Sequence, residues 1–446
     1  MPSALSTDLY ELTMAVSYLR RGMRGPATFS LFARDLPAHR GFLVCAGLDD
    51  CLDHLESFRF TSDEVADVTD MLALTPADGE YLRRLCFTGD VWAIPEGTVV
   101  TAGEPLLEVT APIAEAQLVE TALLNFITFQ TAVASKAARC RIAAPHAQLI
   151  DFSLRRTQSL QAGSQVARTT AIAGFDATSN TAAARRYGLT ATGTMAHSYV
   201  QAFPSERAAF LAFASDFPGR TTFLVDTYDT LGGVRAVIAV IRQLSLGDHV
   251  GIRLDSGDLA LLAVQSRALL DTAGLLGVRI FASGGLDEYA LEAIVGAGAP
   301  IDGYGVGTKV GVSADAPYLD TAYKLVEYEQ RPVFKLSAGK STVPGRKQVF
   351  RGPGMVDQVG LRNQSPPVGT QPLLCQVMAS GRRIDTGDSL APARQRCAAG
   401  LAQLDEAQRR LRDPVPLVAT LTAELYEYAA AAGAMPRATA PAARSR

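Results

Sequence analysis

The sequence predicts an α/β fold organised around a (β/α) barrel, with α+β segments before and after it. Three observations carry this reading. Between about residues 147 and 338 short apolar runs alternate with helical stretches, the pattern of βα units around parallel strands. The runs that precede helices end in polar or glycine residues, as barrel strands do at their functional end. Ahead of them lie a turn-rich β segment and a long apolar helical pattern that belong to neither unit.

At roughly 150 residues per domain, 446 residues make two or three domains. A hydrophobic content of 48% with 20% charged residues excludes a disordered chain. The 42 Lys+Arg against 45 Asp+Glu exclude a dominant nucleic-acid or anionic-membrane footprint, so the expected ligand is small. No apolar run approaches the roughly 20 residues that cross a bilayer, and Met1–Asp8 lacks a basic region leading into an apolar one. A cytoplasmic protein is expected. The six cysteines include no C-x-x-C pair, which favours reduced, buried thiols over a disulfide framework or a zinc site.

Residues 1–145 read as an N-terminal α+β domain. Short helical patterns run to about residue 85, interrupted by the basic loop 36–41. The β-type runs 91–94, 98–100 and 106–109 are punctuated by Pro95-Glu96-Gly97 and Ala102-Gly103-Glu104-Pro105, predicting a small antiparallel sheet. Over 114–140, apolar residues at helical spacing without Gly or Pro predict one long buried helix.

Residues 146–340 are expected to form the barrel, with strands at 147–152, 177–179, 190–193, 222–226, 250–254, 278–282 and 301–306, and 333–336 as a closing strand. Helices are predicted at 205–215, 233–243, 258–272 and 287–295. In the C-terminal segment 341–435, strands 373–378 and 382–384 pair across Ser380-Gly381, and helices follow at 392–412 and 417–431. Residues 436–446, rich in Ala, Pro and Arg, read as a flexible tail.

The strand ends hold the chemistry. They read Asp151-Phe152-Ser153-Leu154-Arg155-Arg156, Thr178-Ser179-Asn180, Gly193-Thr194-Met195-Ala196-His197-Ser198, Asp226-Thr227-Tyr228-Asp229, Arg253-Leu254-Asp255-Ser256-Gly257-Asp258, Ser283-Gly284-Gly285 and Gly305-Val306-Gly307-Thr308. One such ending is an ordinary helix cap, whereas seven in succession point to a site. The glycine-rich last two let backbone N–H groups approach a phosphate, and Arg253 with Asp255 and Asp258 suits a diphosphate, hydroxyls or magnesium. An internal salt bridge with a cap is the alternative. His197 is one of five histidines; its spacing alone does not separate a structural from a catalytic role. Tyr228 and Tyr304 suit either ligand stacking or packing.

Eleven segments in order resemble the nicotinate phosphoribosyltransferase family, among them TDLYELTMA (7–15), DFSLRRTQ (151–158), GTMAHS (193–198), LVDTYDT (224–230), IRLDSGD (252–258), ASGGLDE (282–288) and GYGVGT (303–308). The resemblance extends to about residue 385. It implies an irregular (β/α) barrel of the type II phosphoribosyltransferase kind, plus an α+β sandwich domain built from both ends of the chain. It also implies condensation of nicotinate with 5-phosphoribosyl 1-pyrophosphate to nicotinate mononucleotide and pyrophosphate, coupled to ATP hydrolysis, for NAD biosynthesis. Mg2+ would be the cofactor, ATP a co-substrate, and a homodimer with shared active sites the assembly.

By the same resemblance, His197 is the transient phosphohistidine, acting with Arg253 and Asp255. Phe152 and Tyr10 sandwich the pyridine ring, Tyr10 coming from the partner subunit, with Arg155, Ser179, Thr194 and Arg253 around nicotinate. Arg253, Asp255, Ser256, Asp258, Ser283, Gly284, Gly285, Gly307 and Thr308 hold phosphoribosyl pyrophosphate, Asp255 and Asp258 hold the metal, and Asp8 assists from the N-terminal loop. Nicotinamide-using relatives carry an Asp in the place of Ser179, so Ser179 favours an acid over an amide. One segment departs from the family pattern: where relatives have His-Gly and then Asp before Ala-Gly, this chain has Gln158-Ser159-Leu160-Gln161. That leaves open a different heteroaromatic acid as acceptor, or a non-catalytic nucleotide-binding paralogue.

Overall fold

The computed structural model describes residues 3–247, 249–336, 342–384 and 390–435. The chain divides into two compact units, one formed by 1–132 with 318–446 and the other by 133–317. Segments from both sides of the chain thus build one unit, and one uninterrupted segment builds the other. The expected barrel limit of 340 is too late, because strand Thr321–Tyr328 pairs antiparallel with Pro26–Ala33 in the first unit.

In the first unit a seven-stranded antiparallel sheet runs Arg331–Pro332, Thr321–Tyr328, Pro26–Ala33, Pro105–Pro112, Asp90–Ala93, Cys375–Ala379, Arg382–Arg383. The predicted small sheet is therefore part of a larger one. Val99–Val100 leaves it to pair with Leu43–Val44. Phe29 and Tyr323 stack across neighbouring strands at 4.8 Å, and the Tyr323 hydroxyl donates to the Ala116 carbonyl at 2.8 Å. Helices Ser62–Leu72 and Pro76–Arg84 start at capping boxes, Thr61 with Glu64 and Thr75 with Asp78, which satisfy N–H groups a helix end would otherwise leave bare. A second sheet contains Gln371–Pro372, Lys347–Arg351, Asp357–Leu361 and Ala419–Leu421.

The predicted hairpin across Ser380-Gly381 is present, with Met378 opposite Arg383. The predicted helix 392–412 instead comprises Leu390–Gln403 and a short Glu406–Arg409, and the last helix starts only at Ala423 because 419–421 is strand. The predicted tail lies outside the described residues. The long helix predicted over 114–140 is two, Ile113–Leu118 and Glu120–Ala143.

The second unit is built on six parallel strands in the order Ala177–Thr178, Gln148–Asp151, Gly303–Val306, Arg279–Ser283, Gly251–Leu254, Thr222–Leu224. Of the predicted strand 190–193 only Ala191 pairs, in a parallel bridge to Thr178, and 333–336 is not a strand. Helices return between strands, each begun by the residue its sequence offers as a cap: Asn180, Ser205, Asp229, Asp258 and Asp287 all accept from a backbone N–H of the first turn. Leu149, Ile252, Ile280 and Val306 fill the interior. A buried ion network anchors the framework, with Glu288 bound by Arg139 Nε at 3.0 Å and by Lys136 Nζ, which also meets Asp315 at 2.9 Å. Among the described residues no helix is long and apolar enough to cross a membrane.

Candidate functional site

Six parallel strands present their C-terminal ends at one edge of the sheet, where short polar loops meet. At the first strand end Asp151 is buried and accepts from Ser153 N at 2.9 Å, Ser153 Oγ at 2.6 Å and Thr178 Oγ1 at 2.7 Å. Burial pushes its carboxyl up, and these hydrogen bonds oppose the shift. The result is a rigid joint between neighbouring strands. The next residue, Phe152, donates its N–H to the Val306 carbonyl at 2.9 Å and lays its ring against Gly305. A Cβ at Gly305 would come within 2.5 Å of that ring, so the glycine is what admits it.

Arg253 is the hub. Its Nε donates to Ser283 Oγ at 2.7 Å, Nη1 to Thr194 Oγ1 at 2.8 Å and Nη2 to Asp255 Oδ1 at 2.7 Å, while its guanidinium carbon stands 5.4 Å from the centre of the Phe152 ring. Three strand ends and the 193–198 loop are thereby fixed to one planar group. Burial would raise the Asp255 carboxyl, but the Ser283 hydroxyl and the Arg253 charge outweigh it and hold it below the usual range, so it stays ionised. Gly284 follows with φ +99°, and a Cβ there would lie 2.1 Å from the Asp255 carbonyl oxygen. Only glycine fits.

His197 opens helix His197–Gln201 beside this hub. Its Nδ1 is 3.2 Å from Thr227 Oγ1 and its Nε2 is 3.8 Å from Asp255 Oδ2. Asp226 couples the two loops, since its Oδ2 accepts from the Asp255 N–H at 3.1 Å and from the Ser256 hydroxyl.

Phe152, Arg155, Ser179, Thr194, His197, Arg253 and Asp255 line one cleft of about 320 Å³, so seven of the sequence-predicted residues are brought together. Ser283 joins them through Arg253. Ser256, Asp258, Gly284, Gly285, Gly307 and Thr308 occupy the adjoining strand ends without lining that cleft. Asp258 is engaged as a helix cap, with Oδ1 accepting from Leu261 N at 3.1 Å. Tyr10 and Asp8 lie in the first unit, Tyr10 on helix Leu9–Arg20 with 46% of its surface exposed.

Sequence reasoning missed the apolar lining, Leu154, Met195 and Leu224, and the Asp226 and Thr227 contacts, although their strand end had been marked as polar. Tyr304 is buried in its strand and is a packing residue. In the departing segment Ser159 caps helix Leu160–Ile172 by accepting from Ala162 N at 3.0 Å, and Gln158, Leu160 and Gln161 are exposed. The segment begins a helix in an ordinary way and carries no contact to the hub.

Three family models match in order: the nicotinate phosphoribosyltransferase N-terminal domain over residues 5–128, the nicotinate phosphoribosyltransferase family over 147–346, and the corresponding C-terminal domain over 359–429. A nicotinate phosphoribosyltransferase of Mycobacterium tuberculosis is 50% identical over 389 residues, covering 85% of this chain and 83% of its own. One from Bacillus subtilis is 42% identical over 359 residues, 78% of this chain and 73% of its own. The crystal structure of human nicotinic acid phosphoribosyltransferase superposes with a TM-score of 0.85 at 30% identity, covering 95% of this chain and 99% of that one.

Proposed function

The chain belongs to the nicotinate phosphoribosyltransferase family, and we propose that it joins nicotinate to 5-phosphoribosyl 1-pyrophosphate, releasing pyrophosphate and nicotinate mononucleotide for NAD biosynthesis. The observation that carries this reading is the single cleft in which Phe152, Arg155, Ser179, Arg253, Asp255 and His197 converge. An aromatic face, two guanidinium groups and a neutral hydroxyl suit a planar heteroaromatic acid better than its amide. The departing segment does not favour another acceptor, being exposed and tied only to its own helix.

The reaction asks for positioning more than for covalent chemistry. The pyridine nitrogen attacks a ribosyl carbon of oxocarbenium character while pyrophosphate departs. In this reading Phe152 carries the ring and Arg155 takes the carboxylate. Arg253, already held on three sides, keeps Asp255 turned toward ribose, and the glycines at 284, 285 and 307, with Ser283 and Thr308, cradle the 5-phosphate through backbone N–H groups. Tyr10 would complete the ring sandwich from the partner subunit of a cytoplasmic homodimer.

Magnesium fits as an ion that arrives on the pyrophosphate. Among the described residues no three acidic, His or Cys side chains group to hold a metal, and Mg2+ on a diphosphate needs only one or two protein carboxylates. Asp255 would hold it through Oδ2, with Asp258 alongside, and the ion would offset charge on the leaving group. ATP is the co-substrate in this reading and His197 its phosphoacceptor, the half-exposed imidazole reaching the cleft between Thr227 and Asp255.

The test is a product assay with Mg2+, ATP and phosphoribosyl pyrophosphate, offering nicotinate, nicotinamide and quinolinate in parallel. Nicotinate mononucleotide formed together with ADP is the expected result. His197→Ala should abolish the ATP stimulation and leave slow transfer. Full ATP coupling in that variant would remove the phosphohistidine, and absence of product from all three compounds would remove the acceptor assignment.

A further inference from the structure

The inward-facing residues of the second unit stand in layers, because successive residues of a strand alternate faces. Two residues before Phe152, Thr194, Leu224 and Ser283 come Ile150, Thr192, Thr222 and Phe281, and these four line a second cavity of about 20 Å³. Phe152, Thr194 and Arg253 border both this cavity and the cleft, so it lies directly beneath the hub. Phe281 forms its floor. A Cβ at Gly303 would come within 2.8 Å of that ring and one at Gly251 within 3.1 Å, so the ring occupies the room both glycines leave and plugs the interior below.

A barrel interior is ordinarily filled by Val, Ile and Leu. Here two threonines stand in their place. Thr192 follows the Ala191 bridge to Thr178 at one end of the sheet and Thr222 begins the strand at the other end, so both line the cavity at the seam the ladder leaves open. Among the described residues neither hydroxyl has a hydrogen-bond partner. Valine has the same shape and would fill the layer without a desolvated hydroxyl, so the two hydroxyls are a cost that a bound polar group would offset. At about 20 Å³ the cavity holds one group the size of a water molecule. We propose that it is a subsite for one small hydrogen-bonding substituent on the acceptor ring, and that Thr192 and Thr222 are specificity-determining residues through which the enzyme takes hydroxy- and aminonicotinates as well as nicotinate. A ring resting on Phe152 borders the cavity, and an oxygen or nitrogen added beyond its edge reaches hydroxyls that can donate or accept. A methyl group of the same size leaves both hydroxyls unpaired, and a longer group meets Phe281.

This inference rests on the reaction proposed above, and its test separates the two. The full-length enzyme, with Mg2+, ATP and phosphoribosyl pyrophosphate, would be offered 5-hydroxynicotinate and nicotinates carrying an amino or a methyl group at the 5- or the 6-position, the two ring positions not adjacent to the carboxylate. At one of these positions the hydroxyl or amino acid should be used with kcat/KM within about tenfold of nicotinate, and its methyl counterpart should be at least about tenfold worse, the weight of a hydrogen-bonding group left unpaired. Thr192→Val and Thr222→Val keep the shape of the cavity and remove its hydroxyls. They should erase that preference and leave kcat/KM for nicotinate unchanged. Equal use of polar and methyl acids at both positions, or rejection of every substituted acid, overturns the proposal, as does a preference that both valine variants retain.

A second readout needs no turnover. Calorimetric titration of the full-length protein with the same acids should show the hydroxyl or amino acid binding at least about tenfold more tightly than its methyl counterpart, a difference that Thr222→Val removes. That pattern in a protein that makes no nicotinate mononucleotide would retain the subsite and refute only the reaction. Nicotinate mononucleotide formed without that pattern, in titration and turnover alike, refutes the subsite and leaves the reaction standing.

Discussion

Replacing Arg253 by lysine separates geometry from charge at the hub. Lysine keeps the positive charge that holds Asp255 ionised, but its single ammonium replaces a planar fork whose three nitrogens reach Ser283, Thr194 and Asp255 at 2.7, 2.8 and 2.7 Å. At best it retains the Asp255 contact. Two hydrogen bonds to a charged donor are then lost, each worth about 1.5 kcal/mol, or about 3 kcal/mol together. At about 1.4 kcal/mol per decade this is a fall of roughly two orders of magnitude in kcat/KM. Steady-state kinetics on both substrates would measure it, with thermal unfolding as a control for the fold. The loss should appear against nicotinate and phosphoribosyl pyrophosphate alike, because Nη1 holds Thr194, which lines the cleft with Phe152, while Nε and Nη2 hold Ser283 and Asp255. A variant with unchanged melting temperature and kcat/KM within about threefold of wild type would refute the view that the fork organises the site.

The two glycines after Ser283 should answer differently to alanine. Gly284→Ala places a Cβ 2.1 Å from the Asp255 carbonyl oxygen and should cost folded yield or many degrees of melting temperature, whereas Gly285→Ala meets nothing within 4 Å and pays only for its φ of +66°, about 1 kcal/mol. Equal melting temperatures would refute the close approach of the two strand ends. Ser179→Asp puts a carboxylate into the cleft that takes the acid, and nicotinate KM should rise at least tenfold by like-charge repulsion; an unchanged KM would remove Ser179 from the ring site.

The parts that the sequence makes legible are those whose cause is local. Strand ends and helix caps are local, so Asp258, Asp287 and Ser205 mark their helices correctly and the strand ends converge as expected. The strand Pro26–Ala33 escaped notice although Thr28 and Ser30 alternate with Ala27, Phe29 and Leu31, because its partners Thr321–Tyr328 and Pro105–Pro112 lie far along the chain and no hairpin turn announces them. Conversely, 333–336 has the composition of a strand but no barrel neighbour to pair with, since the chain has already returned to the first unit.

In the site the same division holds. Arg253 and its partners are each visible as strand-end polar residues, yet their bonds span 59 residues to Thr194 and 30 to Ser283, and no spacing rule announces them.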